Sequence, residues 1–92
     1  MGYDSKYGLV TTEHGDIPAD EQVVVFRARD LGILSAVEGY ARWAQEHRGV
    51  VSKEHRELIN KTLRELRNWQ ELHKDRLRWP SSTGYLQRTQ EA

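Results

Sequence analysis

The sequence predicts an α+β fold: an N-terminal β-hairpin followed by an antiparallel two-helix hairpin with a long second helix. Three observations carry this. From Ser52 to Arg78 apolar residues recur at helical spacing on one face. A second helical period precedes it, separated by Arg48-Gly49. Before both lie two β-favouring runs, Tyr7–Thr12 and Gln22–Arg29, parted by turn-forming residues.

In chain order, Met1–Lys6 is polar and expected to fray. Tyr7, Leu9, Val10, Thr11 and Thr12 favour a strand. Glu13-His14-Gly15-Asp16 has turn chemistry, with Gly15 able to take positive φ, and Pro18 fixes a second loop. Val23-Val24-Val25-Phe26 is the clearest strand, so the hairpin should pair it with Tyr7–Thr12. Asp30 is placed to cap a first helix running from Leu31 to about His47, with Gly49 as its left-handed C-terminal residue. Ile33, Leu34, Val37, Tyr40, Ala41 and Ala44 form its core face. The second helix starts after the cap Ser52 and should stop at Pro80. Its expected stripe is His55, Leu58, Ile59, Thr62, Leu66, Trp69, His73 and Leu77. At ~1.5 Å per residue this helix would be ~40 Å long and overhang the first by ~13 Å. Residues 1–80 thus form a single small α+β domain, and 81–92 a flexible C-terminal tail.

Composition narrows function. The 92 residues are 37% hydrophobic and 30% charged, so the core is modest and self-association is a natural way to add buried area. No cysteine is present, which removes disulfides, thiolate metal ligands and a cysteine nucleophile. No apolar run approaches the ~20 residues of a membrane span, and no signal-peptide pattern appears, so a cytoplasmic location is expected. Net charge is zero but split: four basic and eight acidic residues fall in Met1–His47, ten and six in Arg48–Ala92. That split favours self-association and is a poor footprint for nucleic acid, which wants a basic excess on one face.

Tyr7-Gly8, Thr11 through Pro18, Asp20-Glu21 and Val25 through Asp30 resemble the opening of a group of small proteins from phages and prophages, chiefly of actinobacteria. In that group a T-T-E-x-G-x-I-P-x-D-E-P-V segment precedes R-A-x-D and a helical remainder. This chain has Gln22 where proline is usual, and Trp69-Gln70 within a helix is also similar. The resemblance spans about a third of the chain. It implies a small accessory phage protein acting on the host or its defences, and supplies no mechanism.

Catalytic chemistry is not indicated. Glu13-His14-Gly15-Asp16 is better explained as an exposed turn than as an acid–base site. Ser35, Ser52, Ser81 and Ser82 lack a nucleophile elbow, and no glycine-rich phosphate loop is present. His14, His47, His55 and His73 lack metal-ligand spacing, so neither metal nor cofactor is expected. Arg27 and Arg29 alternate along the expected strand and would share one face. With Asp30 and the first turn of the helix beside them, they could clamp an anionic metabolite or nucleotide. The competing explanation pairs them with Glu13, Asp16, Asp20 or Glu21 across the hairpin.

The remaining candidates are interaction residues. Gly32, Ala36, Gly39 and Trp43 form a second face of the first helix, and two helix-interior glycines suit close approach of another backbone. Trp43 is expected to face the hairpin or a second subunit. Trp69, His73 and Leu77 lie on the overhang, Trp69 as a core residue, and Trp79 is expected to be exposed. The leading expectation is a non-catalytic homo-oligomer that binds a host protein.

Overall fold

The structure, a computed structural model, describes residues 1–79. The chain runs β1 (Gly2–Asp4), β2 (Gly8–Val10), α1 (Ile33–Glu46) and α2 (Lys53–Leu72), followed by one 3-10 turn at Lys74–Arg76. The expected class therefore holds: a two-stranded antiparallel hairpin precedes two helices, the second longer. The expected tail at 81–92 lies outside the described residues. By their contacts the described residues gather into two units, Met1–Phe26 and residues 27–79.

Within the first unit the hairpin is built from other residues than the β-propensities indicate. Gly2 pairs with Val10, Tyr3 with Leu9 and Asp4 with Gly8, so the segment expected to fray is a strand. Gly2 fits because a Cβ there would lie 2.8 Å from Ile17 Cγ2 and 2.9 Å from Val23 Cγ1. Asp4, only 7% exposed, organises the turn. Its Oδ1 accepts from the backbone N–H groups of Lys6 and Tyr7, and its Oδ2 from Val25, all at 2.8 Å. Gly8 follows with φ of 82°, a conformation that glycine adopts without steric cost.

The valine run forms no ladder strand. Residues 21–23 run parallel to β1 on its free edge, with Tyr3 N–H donating to Glu21 O and Val23 N–H to Tyr3 O. Beyond Val23 the backbone has the Asp4 carboxylate instead of a partner strand. The alternation of the run survives, with Val23 and Val25 half-buried and Val24 and Phe26 exposed. Gly15 takes the expected positive φ, at 76°.

In the second unit, α1 begins two residues later than expected. Asp30 Oδ1 accepts from Gly32 N–H in a turn that precedes the helix, and the helix start at Gly32 carries no side-chain cap. Asp30 still shapes the entry, since its carbonyl accepts from Ile33 N–H. At the other end Gly49 is not left-handed. The chain reverses because His47 O accepts from both Val50 and Val51 N–H. Ser52 caps α2 as expected, its hydroxyl accepting from His55 N–H at 3.1 Å.

The buried stripe of α2 is rotated from the one the apolar period suggested. Ile59 and Leu63 are its buried apolar residues, facing Ile33 and Ala44 as the core of the chain. Arg56, Leu66 and His73 are half-buried and Gln70 is buried along the same line. His55, Leu58 and Thr62 are exposed. The positions 56, 59, 63, 66, 70 and 73 alternate steps of three and four, the period of helix-on-helix packing. α2 also ends at Leu72, well before Pro80. Arg78 N–H donates to Arg29 O and Leu31 N–H to Arg78 O, so the chain must leave the helix early enough to pair with residues 29–31.

A candidate protein-interaction surface

The two helices of the hairpin have two flanks, on either side of the buried stripe. On one, Arg67 reaches the Glu38 carboxylate at 2.8 Å and Arg56 reaches Gln45 Oε1 at 3.2 Å. These bonds tie α1 to α2 along their antiparallel course. On the other flank α1 presents Ala36, Tyr40, Trp43 and His47, all exposed, with Gly39 on the rim. Their steps of four, three and four repeat the packing period of the buried face.

The rings on this flank are ordered among themselves. Tyr40 and Trp43 stack with centroids 5.9 Å apart, and Trp43 and His47 stack at 4.5 Å. His55 of α2 meets Tyr40 edge-on at 6.4 Å, with Tyr40 OH 3.5 Å from its Nε2. Leu58 continues the apolar surface along α2. Tyr40 is 49% exposed, Trp43 47% and Leu58 55%, so about half of each stays open to solvent. Tyr40, expected in the core, belongs to this open flank.

A short motif repeats at the ends of both helices. Trp43 and His47 close α1, and Trp69 and His73 close α2, in each case as Trp-x-x-x-His. His47 Nδ1 lies 2.8 Å from Trp43 O, and His73 Nδ1 lies 2.7 Å from Trp69 O. A carbonyl only accepts, so each Nδ1 donates. The Trp69–His73 rings stack at 4.3 Å, and the Arg76 guanidinium lies 5.0 Å over the Trp69 ring. The repeat was legible as two tryptophans, each four residues before a histidine that ends a helical period.

The expected overhang is not open. Trp69, His73 and Leu77 are each half-buried. Gln70, a residue that polarity alone would place outside, is buried and donates to Ala28 O at 2.9 Å and Asp30 O at 3.0 Å. These bonds lay residues 28–30 along the end of α2. Trp79 is 80% exposed, as its flanking residues suggest.

Arg27 and Arg29 do not alternate on a strand. They sit in a turn closed by Asp30 N–H donating to Arg27 O at 3.0 Å. Neither arginine takes part in an ion pair within its own unit among the described residues. The Asp30 carboxylate is engaged with Gly32 N–H. The structure thus gathers the aromatic residues of α1 with His55 and Leu58 of α2, and leaves Trp69, His73 and Leu77 within the packing at the other end. No group of acidic and histidine residues suited to a metal occurs among the described residues. No helix among them is long and apolar enough to cross a membrane. In comparison with protein families, curated proteins and solved structures, nothing matches the chain.

Proposed function

We propose that this chain is a non-catalytic interaction protein, a homo-oligomer that engages a host protein and modulates host physiology or defence. The observation that carries the reading is the open aromatic flank of the helical hairpin. Contiguous exposed apolar surface of this kind is the usual mark of a docking site, and aromatic residues concentrate binding energy when a partner covers them. The resemblance of the segment from Tyr7 to Asp30 to small phage and prophage proteins supports a setting inside an infected bacterium.

The test pairs assembly with capture. Wild type and Trp43→Ala are compared by sedimentation at micromolar concentration and by tagged pull-down from bacterial lysate. The reading expects wild type to sediment at no less than twice the 10.7 kDa chain mass. It also expects a captured host protein that Trp43→Ala, still helical by circular dichroism, no longer holds. A monomer that retains nothing from lysate sinks it.

A second reading has its own support: Arg27 and Arg29, with Asp30 beside them, have no acidic partner among the ion pairs of the described residues. They would sequester an anionic metabolite or nucleotide signal at a subunit interface. Calorimetry with nucleotides on wild type and on the Arg27→Ala, Arg29→Ala double variant decides it. Heat from wild type alone supports the clamp, and heat from neither discards it.

A further inference from the structure

We infer that the occupant of the open flank is a second copy of the chain, docked about a two-fold axis with the two α1 helices antiparallel. Trp43 of each protomer then lies over Ala36 and Gly39 of the other. The inference rests on the self-association proposed above and adds the face, the direction and the register.

Area is the first argument. An aromatic side chain covers ~150–250 Å², so half-exposed Tyr40 and Trp43 offer ~100 Å² each, and with Leu58 the total is roughly 300 Å². Ala36, Gly39, His47, His55 and Thr62 extend the face towards the ~800 Å² per partner that stable complexes bury. The chain has reason to use it. Among the described residues the buried apolar ones are Ile33, Ala44, Ile59 and Leu63, and no large side chain is fully enclosed. Two helices with so little between them gain a proper interior when a second pair closes over them, as in a four-helix arrangement.

Shape supplies the direction. The α1 face is graded, small at Ala36 and Gly39 and large at Tyr40, Trp43 and His47. A two-fold axis makes residue i meet j and j meet i. With the axis between Gly39 and Tyr40, antiparallel helices set Trp43 against Ala36 and Gly39, large on small. Parallel helices would set Trp43 on Trp43 and leave the small end empty. Gly39 gains an explanation at the same time. A Cβ on it would meet nothing within 4 Å among the described residues, yet glycine inside a helix costs about 1 kcal/mol relative to alanine. Contact with a partner's indole requires the missing side chain, whereas the single chain does not.

Electrostatics does not oppose the contact. None of Ala36, Gly39, Tyr40, Trp43 or His47 carries a fixed charge, and the chain has zero formal net charge. There is thus no long-range repulsion between copies.

Because the chain has no cysteine, a single introduced thiol reports proximity cleanly. Gly39→Cys places it beside the axis, and Asn68→Cys places it on the exposed side of α2 away from the flank. Both full-length variants are treated with a short bis-maleimide at micromolar concentration, and wild type and Gly39→Glu are run by sedimentation equilibrium. The expected result is a dimer for wild type, cross-linking of Gly39→Cys but not of Asn68→Cys, and at least a hundredfold weaker dimer for Gly39→Glu. A wild-type dimer in which Gly39→Cys fails to cross-link overturns this geometry and leaves self-association standing. A wild-type monomer overturns both. A dimer that forms only when a lysate protein is added assigns the flank to a heterologous partner and overturns the inference.

Discussion

Along one flank of the helical hairpin Arg67 meets Glu38 and Arg56 meets Gln45; along the other, the rings of Tyr40, Trp43, His47 and His55 meet one another, and Leu58 lies exposed one turn from His55. The same two helices supply both. The polar flank is tied within the chain by an ion pair and a side-chain hydrogen bond, although Arg56 Nε is buried without a partner. The aromatic flank is ordered but not covered. A helix surface kept for solvent has no need of stacked rings, whereas a surface kept for a partner gains from rigid side chains that lose little freedom on binding. The difference separates residues that hold the fold from residues available for function.

The comparison is sharpest at the stripe between the flanks. Leu63→Ala should destabilise by about 2–4 kcal/mol, since it empties a buried site, while Leu58→Ala should change the stability of the isolated protomer by less than about 1 kcal/mol. Chemical denaturation of both at low protein concentration checks this. Equal losses would mean that Leu58 belongs to the interior and that the aromatic flank is narrower than drawn.

Gln70→Ala comes next, at about 1–3 kcal/mol, because it removes the donor to the Ala28 carbonyl and one of two donors to the Asp30 carbonyl, which keeps Ile33 N–H. Amide exchange should show faster loss of protection in residues 28–31 than at Ile59. Uniform loss across both regions would show that the end of α2 and its middle open together.

Glu38→Gln should have the smallest effect, about 0–1 kcal/mol and reduced further by salt, because both partners of its ion pair are half exposed. A larger, salt-independent loss in thermal melts would make the polar flank a structural clamp and remove the contrast between the two sides.

Much of the second unit was legible in the sequence. Both helices and the reversal between them follow from spacing, and the Ser52 cap from its chemistry. The stripe of α2 was not, because two stripes overlap there. Ile59, Leu66 and His73 belong to both, and polar Arg56 and Gln70 disguise the buried one. The hidden roles of those two, one reaching Gln45 and the other Ala28 and Asp30, depend on residues far off in sequence. The hairpin was legible as a class only. Gly2 and Asp4 are poor strand formers by propensity. They form β1 because Ile17 and Val23 crowd one and three backbone N–H groups converge on the other. The aromatic flank was partly legible, through Gly39 and Trp43. Tyr40, His47, His55 and Leu58 join it only once the helix rotation is known.

The Asp4 carboxylate makes the N-terminal unit a proton-linked structure. The N–H groups of Tyr7 and Val25, with a smaller share from Lys6, hold its pKa below the usual carboxylate value, against the opposing effect of burial. A group whose pKa is lower folded than unfolded binds its proton more weakly in the folded state. Its stabilisation is therefore complete above the unfolded value of about 3.9 and disappears as pH falls through the folded one. Acid should release the β1–β2 turn and the 23–25 segment in one step, visible as loss of amide protection at Tyr7 and Val25 together. Asp4→Asn should weaken the same amides already at neutral pH and flatten that acid limb. One carboxylate thus couples protonation to a unit whose two strands have only three residues each.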